Sequence, residues 1–214
     1  MDVQELEKII KGRRSIRRWK NQEVPDDLLK KAVELATWAP NGGNFQGWRF
    51  VVVKNRQVIE NMANAVQTVA DRIASWPESA AWPEEMERAR KNASYFRNAP
   101  VCIATFVGRY QSATDKALEV RDTPEAGEIR AFRRTAPTAI QSIGAAVATM
   151  LLVFQQMGLG AVWLGAPLMA KNDIQTILKS PAGLDLSGLI AVGYPDESPQ
   201  RDRKPVEQVM EIIR

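Results

Sequence analysis

Apolar residues recur along the chain at two spacings, which predict helices separated by short strands. Apolar positions three or four residues apart predict helices over 2–11, 25–39 and 58–73. Further helices are expected over the highly charged segment 84–97, over the most apolar segment 137–157 and over the short segment 174–178. Short segments predict strands over 48–53, 100–107, 161–164 and 186–193, and 100–107 is an unbroken apolar run with one threonine. This order of elements indicates an α+β fold, in which a modest sheet is flanked by many helices.

The segment 108–136 does not fit this pattern, because it is rich in charge and contains Pro124 and Gly127. A structureless loop of this length is uncommon in a compact domain unless it is functional or partly helical. Two interpretations stay open: a solvated pair of surface helices, or a lid beside an active site.

No internal repeat, low-complexity tract or linker divides the chain, so we expect residues 1–214 to form a single domain. The most apolar stretch, Ala139–Phe154, is short for a membrane span and is interrupted by polar residues, which favours a buried helix. The segment Met1–Gly12 is polar and charged, unlike a signal peptide. We therefore expect a cytoplasmic protein with no membrane association.

The chain carries 29 lysines and arginines against 25 acids, a formal net charge of +4. The excess is concentrated in two short stretches, Lys8–Arg18 and Arg201–Lys204. A nucleic-acid-binding protein more often has an extended basic face with interleaved aromatic residues. Two compact basic segments fit a small anion better, so we expect no nucleic-acid partner.

The sequence contains no histidine and a single cysteine, Cys102, which lies in the apolar run Val101–Val107. The lack of histidine excludes Ser-His-Asp and Cys-His catalysis and histidine-ligated zinc, and we expect no metal site. Cys102 is expected to be a buried core residue. Neither a Rossmann fingerprint nor a P-loop motif is present, so chemistry is expected from other groups or from a bound cofactor.

Two segments carry candidate chemistry. Arg-Arg-Ser-Ile-Arg at 13–17 offers guanidinium forks and a hydroxyl, which suit phosphate oxygens, although such a patch at a helix end is more often a solvated surface. The segment 39–50 joins a glycine loop, the carboxamides of Asn44 and Gln46, and an aromatic-rich strand. Carboxamides donate and accept hydrogen bonds at once, as reading a heterocycle edge requires, but the alternative is an ordinary turn before a strand.

Together these segments resemble the signatures of the nitroreductase family of FMN enzymes. The 13–17 motif, followed by Ala-Pro-x-x-x-Asn-x-Gln-x-Trp-x-Phe at 39–50, is similar to the family's N-terminal signature. Gly-Leu-Gly-Ala-Val-Trp-Leu-Gly at 158–165 resembles its central glycine signature, and Arg-Asp-Arg-Lys-Pro at 201–205 resembles its C-terminal basic motif. The resemblance implies a nitroreductase-like α+β fold, with a central, mostly antiparallel sheet flanked by helices, in an intertwined homodimer.

The resemblance also implies which residues bind FMN. The phosphate would be bound by Arg13, Ser15, Arg201 and Arg203, with Arg14 alongside. Arg17 would lie toward the N1–C2 carbonyl side of the flavin ring, where its charge would stabilise the reduced, anionic flavin.

The remaining contacts implied by the resemblance involve the ring of the flavin. Asn44 would bind the pyrimidine edge, with Gln46 nearby, and the backbone N–H groups of Leu164 and Gly165 would point at N5 and the O4 carbonyl. The other subunit of the dimer would supply Pro40, Asn41 and Gly42.

The chain departs from the family pattern at two positions. Many relatives carry a glutamate where this chain has Leu164, and the apolar side chain is expected to change the polarity of the site and hence its substrate. Many carry a proline where this chain has Gly47, for which we expect only a looser turn. Segment 108–136 matches none of these motifs.

The activity implied by the resemblance is hydride transfer from NADH or NADPH, through FMN, to a small electron-poor acceptor such as a nitroaromatic or a quinone. Donor and acceptor would occupy the same flavin face in turn, without a side-chain acid or base. Similar folds also serve reductive dehalogenation, flavin fragmentation and dehydrogenation of peptide heterocycles, and this alternative stays open because a fold does not fix a function. A non-enzymatic FMN-binding protein, or a weak nucleic-acid binder using Arg13–Arg18, is a further alternative.

Overall fold

The computed structural model describes residues 2–214. It contains a four-stranded sheet surrounded by helices. The strands are β1 Trp48–Val53, β2 Val101–Gly108, β3 Gly160–Leu164 and β4 Leu184–Gly193. The helices are α1 Val3–Gly12, α2 Asp26–Ala36, α3 Arg56–Ala74, α4 Pro83–Lys91, α5 Ala113–Val120, α6 Pro124–Thr135, α7 Thr138–Gln156 and α8 Lys171–Ile177.

The strands lie in the order β1-β2-β4-β3, and each neighbouring pair is antiparallel. This confirms the α+β class and the antiparallel sheet expected from the sequence. The two central strands, β2 and β4, are buried along nearly their whole length because helices cover both faces of the sheet. One hydrophobic cluster packs α3 and α8 against the sheet, and a second packs α2 and α7 against its opposite face.

The helix ends follow from local chemistry. Asp2 and Glu5 form a capping box at the start of α1, each side chain accepting a hydrogen bond from the other residue's backbone N–H. At the end of α7, Gly158 adopts a left-handed φ of 72°, and the N–H of Leu159 donates to the carbonyl of Phe154 at 2.9 Å. This arrangement ends α7 and turns the chain directly into β3.

One predicted helix, 84–97, is wrong in its extent, because α4 ends at Lys91. The Asn92 side chain donates to the carbonyl of Arg88 at 2.8 Å and so competes with continuation of the helix. The Ser94 hydroxyl then donates to Gln67 of α3 at 2.7 Å, and a short 3₁₀ turn, Tyr95–Asn98, leads into β2.

The segment 108–136 forms the helix pair α5 and α6, linked by the Arg133–Asp115 ion pair with an Nε···Oδ1 distance of 2.7 Å. An 18-residue window within Pro124–Gln156 has a mean hydropathy of 1.6, apolar enough for a membrane-spanning helix. The stretch is interrupted at Pro137, however, and α7 buries Ile143, Met150 and their neighbours in the core. We therefore describe α7 as a core helix.

Candidate functional site

The basic segment 13–17 runs beside the first residues of β3. Ser15 and Ala161 form an isolated parallel bridge, and the N–H of Ile16 donates to the carbonyl of Ala161 at 3.2 Å. The Ile16 side chain is buried and packs directly over Gly160, where an added Cβ would lie 2.7 Å from Cγ1 of Ile16. The apolar residue within the motif therefore anchors it, and its neighbours Ser15 and Arg17 are left less buried.

Trp19 provides a second anchor for this segment. Its indole N–H donates to the carbonyl of Gly160 at 2.9 Å, within the buried core. Its ring also stacks on Tyr95, with the ring centroids 6.5 Å apart and the planes 16° from parallel. The motif is therefore held to the start of β3 at both Ile16 and Trp19.

The chain that follows β4 returns to the same segment. The N–H of Lys20 donates to the carbonyl of Tyr194 at 2.9 Å, and the N–H of Asp196 donates to the carbonyl of Arg18 at 3.0 Å. These bonds carry the chain past the basic motif before it reaches Arg201–Lys204. Residues far apart in sequence are thereby brought to one place.

Glu197 is a site residue that sequence reasoning missed. Its carboxylate accepts hydrogen bonds from the backbone N–H of Arg17 at 2.5 Å and of Arg18 at 3.2 Å, and from the Arg18 Nε at 3.2 Å. Burial acts to raise the pKa of Glu197, but the bonds from Arg17 and Arg18 outweigh burial and hold the pKa below its ordinary value. No local pattern could have identified this role, because the partners are separated by most of the chain.

Arg203 lies close enough to Arg13 for its charge to affect the ionisation of Arg13. Burial lowers the pKa of Arg13, and the charges of Arg203 and Arg14 lower it further. Within residues 2–214 the Arg13 side chain makes no hydrogen bond or ion pair. A half-buried cation beside two like charges is an uncompensated positive centre, which is the environment that a bound phosphate would neutralise.

The Arg14 side chain differs from that of Arg13 because it makes hydrogen bonds within its own segment. Its Nη1 donates to the carbonyls of Lys11 at 2.5 Å and Arg13 at 2.9 Å. Its Nε is buried with no hydrogen-bond partner among the described residues. Arg201 and Arg203 are both exposed and lie two residues apart in the C-terminal arm, the segment 194–214 that follows β4.

At the other end of β3, alternate side chains point to opposite faces of the sheet. The Leu164 side chain is 8% exposed and belongs to the hydrophobic cluster beneath α3, so its apolar character serves the core. The Trp163 side chain is 42% exposed and lies against Gly144 and Gly188. A side chain added at Gly165 would meet nothing within 4 Å, so the backbone there faces open space.

The loop 40–46 is held in an unusual backbone conformation. Gly43, Asn44 and Gln46 have left-handed φ angles of 59°, 50° and 49°. The carboxamides bond within the loop, since Asn41 Oδ1 accepts from the Gln46 N–H at 3.0 Å and Asn44 Oδ1 accepts from Gln46 Nε2 at 3.1 Å. Left-handed non-glycine residues carry strain, and such strain is concentrated at functional sites.

The same loop is fixed to α7. The N–H of Gly42 donates to the Ser142 hydroxyl at 3.2 Å, and a side chain at Gly42 would collide with Thr138. Pro40 precedes the loop and is exposed. Within residues 2–214, no hydrogen bond or ion pair joins this loop to segment 13–17, Gly165 or the C-terminal arm. The candidate residues therefore fall into two groups in one copy of the chain.

Cys102 lies in the core on β2. Burial raises the pKa of its thiol to about 12, which keeps the group neutral and unreactive at physiological pH. Within the described residues, no group of three or more histidine, cysteine, aspartate or glutamate side chains could hold a metal ion.

The structure combines an α+β sheet flanked by helices, a basic segment beside β3 and a glycine loop that is fixed to α7. The Nitroreductase family model matches residues 10–194, and the chain belongs to the nitroreductase family. This is the scaffold of FMN-dependent oxidoreductases, and its relatives include a deiodinase.

Particular relatives show how far the likeness extends. The chain is 26% identical to human (Homo sapiens) iodotyrosine deiodinase 1, over 98% of this chain and 69% of that protein. It superposes on a BluB-like flavoprotein from Clostridium difficile 630 with a TM-score of 0.86 and 28% identity, over 100% of both chains. A nitroreductase with bound FMN from Desulfitobacterium hafniense DCB-2 shares the fold, with a TM-score of 0.74 and 20% identity over 100% of both chains.

Proposed function

We propose that this protein is an FMN-dependent oxidoreductase that takes electrons from NADH or NADPH and reduces a small electron-poor acceptor, such as a nitroaromatic or a quinone. The observation that carries the proposal is the half-buried guanidinium of Arg13, which has no counter-ion among the described residues and is affected by the like charges of Arg14 and Arg203. Arg13 stands two residues before Ser15, which pairs with Ala161 of β3. Family membership supports FMN as the anion that this charge would bind.

The residues present fit this cofactor. Arg13 and Arg203 would bind its phosphate together with Ser15 and Arg201, because guanidinium forks and hydroxyls match phosphate oxygens. The open space above Gly165 leaves room for a flat ring next to the backbone N–H groups of Leu164 and Gly165. When bound, FMN supplies the two-electron redox chemistry that side chains lack.

Arg17 would act on the ring by its charge. Its backbone N–H is bound by Glu197 at 2.5 Å, so the backbone position of the residue is fixed while its side chain stays exposed. A cation near developing negative charge favours reduction without the need for a side-chain acid or base. This role suits a chain that contains no histidine.

We also propose that the active form is a homodimer of a single cytoplasmic domain. The loop 40–46 has no bond to the Arg13 group within one copy, and a second copy would supply Pro40, Asn41 and Gly42 to the flavin, with Asn44 and Gln46 close by. Apolar surface supports the same assembly: Val209, Ile212 and Ile213 of the C-terminal tail are 68%, 65% and 91% exposed. Light scattering at micromolar concentration tests the dimer, and a monomer would contradict it.

A visible absorption spectrum of the purified protein supplied with FMN, followed by anaerobic addition of NADPH and then NADH, tests the function. We expect a bound flavin spectrum that bleaches with one donor and recovers when a nitroaromatic or a quinone is added. Failure to bind FMN would overturn the whole proposal. A bound flavin that neither donor bleaches would overturn the NAD(P)H-dependent activity alone.

A second candidate function is reductive dehalogenation, which the likeness to iodotyrosine deiodinase 1 over 98% of this chain favours. The same experiment distinguishes the two functions if 3-iodo-L-tyrosine is offered to the reduced protein as the alternative acceptor. Release of iodide at a rate above that of nitroaromatic reduction would favour the dehalogenase.

A further inference from the structure

The helix pair α5–α6 forms a cavity with the start of α7. The cavity has a volume of about 600 Å³, within the range of small-molecule sites. Its wall carries a concentration of charged side chains, namely Arg109, Arg130, Arg133, Arg134, Asp115 and Glu119. Four guanidinium groups facing two carboxylates leave the cavity with an excess of positive charge.

The arginines retain unused donors. Arg109 contacts Glu119 through Nη2 at 3.2 Å, and Arg133 contacts Asp115 through Nε at 2.7 Å, so each uses one of its five N–H groups on an acid. The Arg134 side chain makes no hydrogen bond or ion pair with any other residue of the described range 2–214. Arg130 differs, because it donates to the carbonyls of Leu118 and Arg121 and so fixes the end of α5.

The cavity adjoins the strained glycine loop. Tyr110 and Thr138 both line the cavity. They also pack on the loop, since a side chain added at Gly43 would lie 2.6 Å from the Tyr110 hydroxyl and one at Gly42 would collide with Thr138. The Tyr110 ring further contacts Phe45, with the centroids 5.6 Å apart. A molecule lying against this loop therefore has the arginine cavity beside it.

We propose that the cavity binds an oxyanion, a carboxylate or a phosphate, on the small molecule that occupies the site beside the loop 41–44. The inference rests on the proposed function, because that function places the reacting molecule there. Arg134 and Arg109 would bind the oxyanion, since guanidinium groups pair with both anions in a bidentate manner. Arg133 and Arg130 would hold the helix pair in position. The proposal accounts for the charge of segment 108–136, which carries none of the family's sequence motifs.

The test compares 4-nitrobenzoate with its neutral isostere 4-nitrobenzamide as acceptors for the FMN-loaded enzyme. The variants are Arg134→Gln and Arg109→Gln, with Arg121→Gln as the matched control, since Arg121 lies on the same hairpin but does not line the cavity. KM and kcat are measured for each acceptor. The dissociation constant of 4-nitrobenzoate from the oxidised enzyme is measured by calorimetry, which does not depend on turnover.

We expect the wild type to bind 4-nitrobenzoate more tightly than 4-nitrobenzamide, and Arg134→Gln to reduce this preference about tenfold, through KM rather than kcat. Arg121→Gln should keep the preference. If Arg134→Gln instead raises the KM for NADPH more than that for NADH, the oxyanion is a phosphate of the donor, which also supports the proposal.

Equal acceptor preferences and equal donor KM values in Arg134→Gln, Arg109→Gln and Arg121→Gln would overturn the inference. The proposed function would survive that result if the enzyme still reduced 4-nitrobenzamide. If neither nucleotide reduces the flavin, the proposed function fails, and the calorimetric constants of the three variants still decide whether the cavity binds an oxyanion.

Discussion

The N–H of Ile16 donates to the carbonyl of Ala161 at 3.2 Å, and this bond ties the N-terminal basic motif to β3, which ends at Leu164, directly before Gly165. The two segments carry different parts of the candidate site. Their contact fixes the distance between the end that would bind phosphate and the end that would bind the ring. Mutations at this contact should therefore disturb binding as well as stability.

Gly160→Ala tests this contact. The new Cβ would lie 2.7 to 2.9 Å from three atoms of Ile16, so the motif must shift. We expect the free energy of unfolding to fall by about 1 to 3 kcal/mol and FMN affinity to fall with it. Urea denaturation and flavin fluorescence titration measure the two effects. Gly127→Ala in α6 is the control, because its nearest neighbour is 3.9 Å away, and it should stabilise the helix slightly. Equal effects of both variants would contradict the prediction.

Trp19→Phe removes the indole bond to the Gly160 carbonyl but keeps an aromatic ring. Because that carbonyl is buried, we expect a loss of about 1 to 2 kcal/mol in the free energy of unfolding. Trp38→Phe provides a matched change at a position that is 83% exposed, where no loss is expected. Chemical denaturation of both variants checks the prediction, which fails if Trp19→Phe is as stable as Trp38→Phe.

Arg203→Gln should lower the affinity for FMN without lowering the stability of the flavin-free protein. Without flavin, Arg13 loses a like-charged neighbour, so the variant should be at least as stable as the wild type. With flavin, loss of a phosphate-binding group should weaken FMN affinity about tenfold or more. Thermal unfolding of the flavin-free protein and fluorescence titration give the two readings. Arg88→Gln on α4 is the charge-matched control. If Arg203→Gln lowers both the thermal stability of the flavin-free protein and the FMN affinity, Arg203 has a purely structural role.

Arg17→Ala should slow flavin reduction about tenfold to a hundredfold while changing FMN affinity less. The reason is that a cation near the ring favours its reduced form, whereas under the proposed function Arg13 and Arg203 would bind the phosphate. Anaerobic stopped-flow absorbance measures reduction, and Arg17→Lys should recover part of the rate by restoring the charge. An unchanged rate in Arg17→Ala would remove this role.

Cys102 should not react with Ellman's reagent at pH 8 until the protein unfolds. Its folded pKa of about 12 lies above the ordinary value of 9.0 because the thiol is buried. The stability contributed by the neutral thiol is fully present below pH 9 and is lost as the pH rises toward 12. Reaction in native buffer at a rate independent of added guanidinium chloride would show that the thiol is accessible.

The sequence predicted most elements because local signals and tertiary packing agree. The strand Trp48–Val53 is confirmed with the predicted ends, and the capped helix Val3–Gly12 begins after Asp2, as its apolar spacing indicates. The end of α4 was missed because a single asparagine side chain decides it. The burial of Leu164 in the core could not be predicted from the sequence either. Burial on one face of a short strand depends on which helix covers that face.

For the site, the motifs predicted Arg13, Ser15 and Arg203 as phosphate-binding residues, and this role stays a prediction. The charge of Arg203 reaches Arg13 because segments far apart in sequence pair with each other. The contribution of Glu197 was not predictable, because it arises from backbone N–H groups, which every residue type except proline offers. The arginine cavity was also beyond the sequence. Its lining depends on how α5 and α6 fold back on each other, and charge spacing along a surface hairpin does not fix that geometry.

The proximity of Arg13 and Arg203 also affects when, during synthesis of the chain, FMN could bind. A ribosome makes the chain from its N-terminus, so Arg13, β1 and β2 are exposed to the cell long before Arg203 is added. A nascent chain would carry Arg13 but not yet Arg203, and we expect it to bind FMN weakly. Under the proposed function, FMN would bind after translation. Only chains whose synthesis had passed Arg203 would bind the flavin tightly.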